Sequence, residues 1–249
     1  MKIGVGIVTY QRFDRFKECF EHLLKNNRDV DEILIVEDCS VKDRERYDEY
    51  FKSILLNNVN VIRNSENKGV GYCKNLVMKY FYGKNFEFIF TLEDDINVVN
   101  PGVFMHYVDT GARSGIHYLN FGLHGPANVG KKQLKKHGDA FVWVFPESVG
   151  AFTMYTNKLI EVIGYHDESF LNAWEHVEYA YRASNCGLSL PFWQFADAPL
   201  SDTYLNEQVG SLEDSSIRPR EDWKPNIKAG YDYFKKKHGV EIFAIPGRR

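Results

Sequence analysis

The sequence predicts an α/β domain built on a mostly parallel central sheet flanked by helices, and three observations lead to this expectation. Apolar strand patterns alternate with amphipathic helix patterns through the first hundred residues, as in repeated strand–helix–strand units. The 249 residues are 44% hydrophobic and 26% charged, so a sizeable core can form. No internal repeat, low-complexity tract or interdomain linker divides the chain, which predicts a single domain.

The first hundred residues contain four strand patterns separated by three helix patterns. Strands are predicted at 2–10, 31–38, 58–64 and 86–95. Helices are predicted at 12–26, 41–57 and 69–83. We expect Ser40 to cap the second helix. Ligands of parallel sheets bind beyond the carboxyl ends of the strands, so the polar residues at these ends are expected to share one rim.

The second half of the chain is predicted to be less regular. Strands are predicted at 116–125 and 140–146, a strand running into a helix at 149–164, and helices at 172–187 and 224–239. Gly187 is the expected stop of the helix that precedes it. The connection 126–139 is rich in glycine and lysine, which predicts a mobile loop.

Composition and charge exclude several classes of protein. The net charge of −3 provides no overall positive field for nucleic acid, and no apolar stretch approaches the roughly 20 residues of a membrane span. The opening "MKIGVGIVTYQ" is typical of a strand and not of a signal peptide, because polar residues follow at once. The four cysteines form no C-x-x-C pair, so we expect neither disulfides nor a zinc-thiolate site. We therefore expect a cytoplasmic location.

Three consecutive acids end the fourth predicted strand, in the stretch "FIFTLEDDINVV". Glu93, Asp94 and Asp95 are unfavourable at the end of a core strand unless a cation meets them. Successive strand side chains point to opposite faces, but once the backbone turns, Glu93 and Asp95 can face the rim together. Oxygen ligands with room for phosphate oxygens suit Mg²⁺ or Mn²⁺ bound to a diphosphate. The alternative is that the acids cap the following turn or pair with lysines.

Four stretches of the first half resemble the motifs of a known family. In chain order they are "VTYQR", "ILIVEDCS", "NSENKGVGYCKN" and "FTLEDD", and they are similar to those of family-2-like nucleotide-sugar glycosyltransferases of the GT-A fold. In the second half, "GYHDESFLNAWEHVEYAYRASNCG" and "NIKAGYDYFKKKHG" resemble that family's acceptor-side segment and terminal helix. The resemblance implies a Rossmann-like GT-A domain over 1–249, with a nucleotide-binding half at 1–100 and an acceptor-binding, catalytic half at 101–249.

The resemblance implies a donor site at the strand ends. Glu37 and Asp38 fall on the family's acidic pair, of which one carboxylate accepts a hydrogen bond from the base, commonly uracil. Lys74 stands where the family usually has arginine, and is expected to reach the base or a phosphate. Turn chemistry before a helix is the alternative for Asn67 and Gly69. The residues expected to bind the nucleotide sugar are Thr9, Tyr10, Arg12, Glu37, Asp38, Asn67, Gly69, Lys74, Asn75, Glu93 and Asp94.

The same resemblance implies a divalent cofactor, Mn²⁺ or Mg²⁺. Asp95, the last acid of the D-x-D-like triplet, is the main expected metal ligand. Many GT-A enzymes supply another ligand, a histidine after the catalytic helix, but "APLSDTYLNE" contains none. Asp202 is the candidate substitute, with an ordinary surface aspartate as the alternative. His124 and His137 are less well placed by the resemblance.

The catalytic segment departs from the family pattern. Inverting members carry a Glu-Asp pair whose second residue is the base. In this sequence the corresponding pair is Glu175-His176. Histidine suits a general base because its unperturbed pKa is near 6.5. Glu175 and Glu178 are further candidates, and a helix places them on one face. The segment "WEHVE" also resembles the W-G-G-E-N-x-E segment of retaining enzymes, which leaves both stereochemical outcomes open.

The sequence therefore predicts a metal-dependent glycosyltransferase that moves a sugar from a nucleoside-diphosphate sugar, with UDP the expected carrier, to a hydroxyl acceptor. The acceptor is left open among glycans, lipid-linked sugars, small molecules and nucleic acid. The lysine-rich segment 130–138 is expected to close over the diphosphate or to contact an anionic acceptor. The amino-acid usage would suit an AT-rich genome, so a viral enzyme acting on modified bases in DNA is one alternative.

Two alternatives change the class of function. A nucleotidyltransferase also uses strand-end acids with a metal, but it normally carries a glycine-rich basic loop after its first strand, and "VTYQRFDRF" has no glycine. A catalytically inactive nucleotide-sugar or glycan-binding protein is supported by His176 alone, and the retained "LEDD" disfavours it.

Overall fold

The computed structural model describes residues 1–171, 173–211 and 213–248, and it confirms an α/β fold around a mostly parallel sheet. The strands are β1 (Ile3–Thr9), β2 (Glu32–Glu37), β3 (Val59–Arg63), β4 (Phe88–Glu93), β5 (Ile96–Val98), β6 (Tyr118–Asn120), β7 (Gln133–His137), β8 (Ala140–Phe145), β9 (Phe152–Thr156), β10 (Phe195–Asp197) and β11 (Leu205–Glu207). The α-helices are α1 (Phe13–Asn26), α2 (Arg44–Ser53), α3 (Val70–Gly83), α4 (Val103–Ser114), α5 (Asn157–Ile163), α6 (Glu175–Asn185) and α7 (Trp223–His238). Short 3₁₀ turns lie at Pro126–Asn128, Ser201–Thr203 and Ile242–Ala244.

The central sheet has the strand order β3-β2-β1-β4-β9-β6. β1 pairs in parallel with β2 and β4, and β2 pairs in parallel with β3. β9 runs antiparallel between β4 and β6. The four neighbouring parallel strands therefore end at one edge of the sheet, where the sequence placed its polar motifs.

Alternation along β1 explains how helices cover both faces of the sheet. Ile3, Val5 and Ile7 face the core cluster that contains the apolar side of α1. The intervening Gly4 and Gly6 face α3, where an added Cβ at Gly6 would lie 2.2 Å from the Val77 side chain. Glycine is needed here because α3 packs directly against the strand backbone.

Two smaller sheets complete the second half of the chain. β10, β8 and β7 form a three-stranded antiparallel sheet with β8 in the middle, and β11 pairs antiparallel with β5. The prediction of a mobile loop over 126–139 is wrong, since this segment contains β7. The segment forms a strand because β7 pairs with β8. Its lysines have low strand propensity, so the local sequence did not predict this strand.

Other predicted elements need smaller corrections. Ser40 does not cap α2, which begins after Asp43; the Ser40 hydroxyl instead accepts a hydrogen bond from Gln11 N at 2.7 Å. α4 was not predicted, although Val103, Phe104, Tyr107 and Val108 are spaced as on one face of a helix. The predicted helix at 172–187 begins at residue 175, and its first predicted residue, Asn172, lies outside the described ranges. None of the described helices is long and apolar enough to cross a membrane.

Candidate active site

A cleft of about 410 Å³ opens where the carboxyl ends of β1, β2 and β4 meet the start of α6. The segments that precede β7 and follow β8 form its opposite wall. Most of the predicted site residues line it, namely Thr9, Tyr10, Arg12, Asp38, Asn67, Gly69, Glu93, Asp94, Glu175 and His176. The expected convergence of strand ends at one rim is therefore observed.

Two side-chain cations, from Arg12 before α1 and Lys74 of α3, meet the acidic triplet at the end of β4. Lys74 Nζ donates to Glu93 Oε1 at 2.7 Å. Arg12 binds both aspartates, Asp94 through Nη2 and Asp95 through Nη1, the latter at 3.0 Å. The chain itself thus supplies much of the positive charge that these acids require.

Asp94 and Asp95 have different protonation behaviour although one guanidinium bridges them. Burial raises the pKa of Asp94 to about 6, with Arg12 opposing the rise and Asp95 adding to it. Burial alone would also raise the pKa of Asp95, but His124 and Arg12 stabilise its charge and hold that pKa well below the usual range. Asp95 is consequently the aspartate that stays ionised beside the cleft.

His124, which the resemblance placed less well as a metal ligand, lies next to Asp95 in the structure. The Nε2 atom of His124 is 3.7 Å from Asp95 Oδ2, too far for a hydrogen bond. This Nε2 and Asp95 Oδ1 are both buried and have no hydrogen-bond partner among the described residues. Buried polar atoms are normally bonded, so these two exceptions mark polar groups that a ligand can bind.

The donor set around Asp95 can be compared with the needs of a divalent cation. Glu207 is also close to His124, at 3.5 Å, but its two oxygens already accept hydrogen bonds from Gly125 N and the Ser211 hydroxyl. Within the described ranges, no group of three or more His, Cys, Asp or Glu side chains is arranged as a metal site. Asp95 and His124 therefore fit a cation whose remaining ligands are diphosphate oxygens, the usual situation for Mg²⁺ in nucleotide sites.

Asp38 organises the turn that precedes α3. Its carboxylate accepts hydrogen bonds from the Asn64 and Asn67 side chains, at 2.7 and 2.8 Å, and from the backbone nitrogens of Lys68 and Gly69. Asn67 and Gly69 thus take part in turn chemistry as well as lining the cleft. The result is a rigid rim on the β2 side of the cleft.

Glu37 is buried one residue earlier and does not line the cleft. Its carboxylate accepts a hydrogen bond from Ser40 N and another from Arg63 Nε at 2.9 Å. The intervening Cys39 has a φ of 59°, and Gln11, which follows β1, has a φ of 55°. Positive φ at non-glycine residues is costly, and its occurrence after two neighbouring strands is typical of functional rims.

Lys74 lies beneath the cleft and is fully buried. The resemblance implied that it reaches the base or a phosphate, but its side chain does not line the cleft. Besides Glu93, its ammonium contacts the Gly150 carbonyl at 3.0 Å and Glu175 Oε1 at 3.6 Å. Burial opposes its charge, but Glu93 and Glu175 outweigh this effect and raise the pKa of Lys74. Lys74 therefore joins the end of β4 to the start of α6.

Glu175 and His176 form a contact pair at the start of α6. Glu175 Oε1 lies 3.0 Å from His176 Nδ1, and the imidazole lines the cleft while the carboxylate is buried behind it. Burial alone would raise the pKa of Glu175, but His176 and Lys74 stabilise the carboxylate and hold its pKa far below normal. An ionised carboxylate at Nδ1 favours a proton on that atom, which leaves Nε2 free to accept another.

Besides Glu37, Lys74 and Asp95, three more predicted site residues do not line the cleft. Asn75 holds the backbone of His166, donating to its carbonyl at 2.9 Å and accepting from its nitrogen at 2.8 Å. Glu178 is buried against cations of α6 and α7. Asp202 is a surface aspartate, 3.3 Å from Lys132, as the alternative interpretation had it.

The cleft also contains residues that the sequence did not single out. They include Gly125, Pro126, Ala127, Ser148, Gly150, Ser216, Ile217, Arg218 and Trp223. Most lie in the weakly patterned second half, where only glycine and proline mark the loops. The one usable signal was His124 in "GLHGP", a polar side chain between turn residues directly after a strand.

Part of the chain matches a known family of proteins. Residues 4–103 match the model described as "Glycosyl transferase family 2". None of the curated protein sequences matches the chain. This match confirms the family resemblance of the motifs over the strand–helix units of the first half.

Solved structures extend the likeness to the whole fold. GalNAc-T7 crystallised with UDP, GalNAc and Mn²⁺ is 15% identical with a TM-score of 0.58, and the match covers 80% of this chain but 42% of that one. The S. aureus TarS 1–349 complex with UDP is 14% identical with a TM-score of 0.55, covering 98% and 74%. The Pyrobaculum calidifontis mannosyltransferase PcManGT with GDP-Man and Mn²⁺ is 11% identical with a TM-score of 0.58, covering 98% and 63%. At these identities the likeness establishes the GT-A fold.

Proposed function

We propose that this family-2-like chain of the GT-A fold transfers a sugar from a nucleoside-diphosphate sugar to a hydroxyl acceptor. Two buried atoms, Asp95 Oδ1 and His124 Nε2, have no hydrogen-bond partner among the described residues, and they lie beside a cleft that also contains a Glu–His pair. This observation carries the proposal. The first pair suits the diphosphate side of the reaction, and the second suits the hydroxyl side.

On the donor side, Asp95 and His124 would hold a divalent cation, Mn²⁺ or Mg²⁺. When bound, this ion stabilises the negative charge that the diphosphate acquires as it leaves. Arg12 keeps the two aspartates in place, because its guanidinium bridges Asp94 and Asp95. Complexes of the similar folds with UDP and with GDP-Man support a nucleotide-sugar donor, and we propose UDP as the carrier.

On the acceptor side, we assign the general base to His176. Its Nε2 takes the proton that the acceptor hydroxyl loses as the oxygen bonds to the sugar and the bond from sugar to diphosphate breaks. Glu175 orients the imidazole through Nδ1 and stabilises its protonated form. Glu178 has no part in this step, since cations of α6 and α7 already bind its carboxylate.

Thermal unfolding with nucleotides tests the donor site. Purified protein is melted with UDP, GDP, TDP or CDP, each with and without Mn²⁺. A nucleotide at 100 times its Kd stabilises the folded state by about 2.7 kcal/mol. We expect the largest shift with UDP plus Mn²⁺, and little shift with UDP alone.

Matched aspartate variants localise the effect. Asp95→Ala is expected to abolish the metal-dependent shift, and His124→Ala is expected to weaken it. Asp202→Ala, which removes the other predicted ligand, serves as the control and should leave the shift unchanged. If no nucleotide shifts the transition of the wild type, the donor proposal fails; if Asp202→Ala alone removes the shift, the metal lies elsewhere.

A further inference from the structure

Two loops form the wall of the cleft opposite the strand ends. The first, residues 121–128, follows β6 and carries His124, and the second, residues 146–151, joins β8 to β9 and carries Gly150. We call them the His124 loop and the Gly150 loop. Four residues of each line the cleft, namely His124, Gly125, Pro126 and Ala127 of the first, and Ser148, Val149, Gly150 and Ala151 of the second. The shape of this wall therefore depends on how the two loops are held together.

One buried side chain, that of Asn128, bonds the two loops to each other. Asn128 is 0% exposed and does not line the cleft. Its Nδ2 donates to the Gly122 carbonyl at 2.8 Å and to the Glu147 carbonyl at 2.9 Å, and its Oδ1 accepts from Glu147 N at 3.2 Å. A side-chain amide carries two donors and an acceptor in one plane, and Asn128 uses both kinds of group on the backbone of the loops. Neither a carboxylate nor an apolar side chain can make this set of bonds.

Gly122, two residues before His124, is fixed at several atoms. Its N–H donates to Asp197 Oδ2 at 3.0 Å, while its carbonyl accepts from Asn128. A Cβ added at Gly122 would lie 2.1 Å from the Phe145 ring, so the backbone passes directly against β8. The start of the His124 loop is therefore held by contacts on both sides of the chain.

The residue after His124 is anchored as well. Gly125 N donates to Glu207 Oε2 at 2.7 Å, and Gly125 has a φ of 70°, a conformation that favours glycine. His124 thus lies between two anchored glycines, while its own Nε2 has no hydrogen-bond partner among the described residues. A loop that is already ordered does not have to be ordered when a ligand binds, and such preorganisation raises affinity.

The Gly150 loop is the fixed side of the contact that Asn128 makes. The Gly150 carbonyl accepts from the buried Lys74 ammonium at 3.0 Å. A Cβ added at Gly150 would lie 2.9 Å from Lys74 Nζ and 3.1 Å from the His176 ring, so this loop is closely packed beneath the proposed base. Asn128 reaches the loop at Glu147 and thereby holds the His124 loop against packed structure.

We propose that Asn128 is a positioning residue of the sugar transfer, which fixes the His124 loop so that His124 can meet the divalent cation at Asp95. The proposal rests on the proposed function, because it names the residue that holds one of its cation ligands in place. Asn128 contacts neither donor nor acceptor and acts through His124. Loss of its amide should therefore weaken cation binding to the extent that His124 contributes to it.

Manganese binding tests this assignment, measured by electron paramagnetic resonance of free Mn²⁺ during titration with protein at saturating UDP. Asn128→Leu keeps a branched side chain and removes the three hydrogen bonds. We expect it to raise the apparent Kd for Mn²⁺ about tenfold, as is typical of groups that orient a metal ligand. The control is Asn26→Leu, because Asn26 Nδ2 is buried and also donates to two carbonyls, those of His22 at 3.1 Å and Val98 at 2.7 Å, without lining the cleft. It should keep the wild-type Kd, and an equal rise in this control would overturn the proposal.

A double-mutant cycle separates the positioning of His124 from a general loosening of the fold. His124→Ala alone should weaken Mn²⁺ binding, and Asn128→Leu should add no further loss in that background, because its effect passes through the imidazole. Losses that multiply would overturn the proposal. If Asn128→Leu does not fold, as judged by circular dichroism, Asn128→Asp takes its place, since a carboxylate cannot donate to the Gly122 and Glu147 carbonyls.

The same titration distinguishes failure of this inference from failure of the donor site. Mn²⁺ binding by wild-type protein that His124→Ala weakens and Asn128→Leu leaves unchanged would overturn the role of Asn128 alone. No Mn²⁺ binding by wild-type protein with UDP, GDP, TDP or CDP would overturn the proposed donor site and, with it, the role of Asn128.

Discussion

Helix α6 carries two buried glutamates, three residues apart, whose surroundings differ in kind. Glu178 Oε1 contacts three nitrogen atoms: Arg182 Nε at 2.9 Å, Lys237 Nζ at 2.9 Å and His238 Nε2 at 3.1 Å. Glu175 Oε1 has His176 Nδ1 at 3.0 Å and the Lys74 ammonium at 3.6 Å. Glu175 and His176 line the cleft, whereas Glu178 does not.

The two glutamates differ in what their charge contacts: the charge of Glu178 is used in ion pairs between helices, and the charge of Glu175 lies beside the cleft. The Glu178 cluster joins α6 to α7 with protein groups alone, and Lys237 extends it to Asp167 at 2.6 Å. At the cleft, polar atoms remain that no described residue satisfies, including His124 Nε2 and Ser148 Oγ. Burial and cation contact are therefore common to both groups, and a position at the cleft is what distinguishes the glutamate that we propose to be functional.

The largest expected effect is the loss of activity on changing the cleft glutamate. Glu175→Gln removes the charge that supports protonated His176, and His176→Ala removes the base itself. Each should lower the turnover number by about 10²- to 10⁴-fold, measured as UDP release from the donor. The UDP and Mn²⁺ thermal shift should persist in both variants.

Glu178→Gln is the matched control for activity, because it makes the same chemical change one helical turn away. It should leave the turnover number of folded protein nearly unchanged. Turnover retained in Glu175→Gln but lost in Glu178→Gln would reverse the assignment of the two glutamates.

Glu178→Gln should instead have the larger effect on stability. It leaves Arg182, Lys237 and His238 without their shared carboxylate, and removing one partner of a buried ionic group costs about 3–5 kcal/mol. Urea unfolding monitored by circular dichroism measures this loss. An unfolding free energy within about 1 kcal/mol of wild type would show that the cluster does not hold α6 against α7.

Asp197 extends the comparison to a buried carboxylate whose hydrogen bonds come from neutral groups. It accepts from the Tyr107 and Ser201 hydroxyls and from Gly122 N, and burial raises its pKa to about 7. Between about pH 4 and 7 the folded protein holds a proton that the unfolded chain has lost. This group therefore makes the unfolding free energy fall by roughly 1.4 kcal/mol per unit as pH rises through that window.

Asp197→Asn mimics the protonated form and should remove this slope. His166 acts in the opposite direction, since burial lowers its pKa to about 3 and its contribution is lost as pH falls below 6.5. The quantity to compare is thus the difference between wild type and variant in urea unfolding at several values of pH. A difference that does not change between pH 4.5 and 7.5, or that also appears in the surface variant Asp202→Asn, would contradict a raised pKa at Asp197.

Local patterns accounted for most of the first half of the fold. The apolar periodicity of β1 to β4 and α1 to α3 appears in the structure with small changes in bounds. Elements with weak local signals were harder to predict: β7 is formed by a lysine-rich stretch, and its pairing with β8 is what makes it a strand. α4 had a helical pattern that went unassigned.

The candidate site divides in the same way. Strand-end motifs predicted Thr9, Asp38 and Glu93 at one rim, because parallel strands deliver their carboxyl ends to the same edge. The identical helical spacing of Glu175 and Glu178 could not show which one faces the cleft, because both sides of α6 are covered by other parts of the chain.

The sequence alone determined the alternation of strands and helices, and the meeting of acids at the strand ends, because both follow from periodicity over a few residues. Only the tertiary structure decided which charges neutralise one another and which remain free. Arg12 and Asp95 are 83 residues apart in the chain, and His124 comes from the loop after β6. Such pairings depend on packing between distant segments, and no local pattern encodes them.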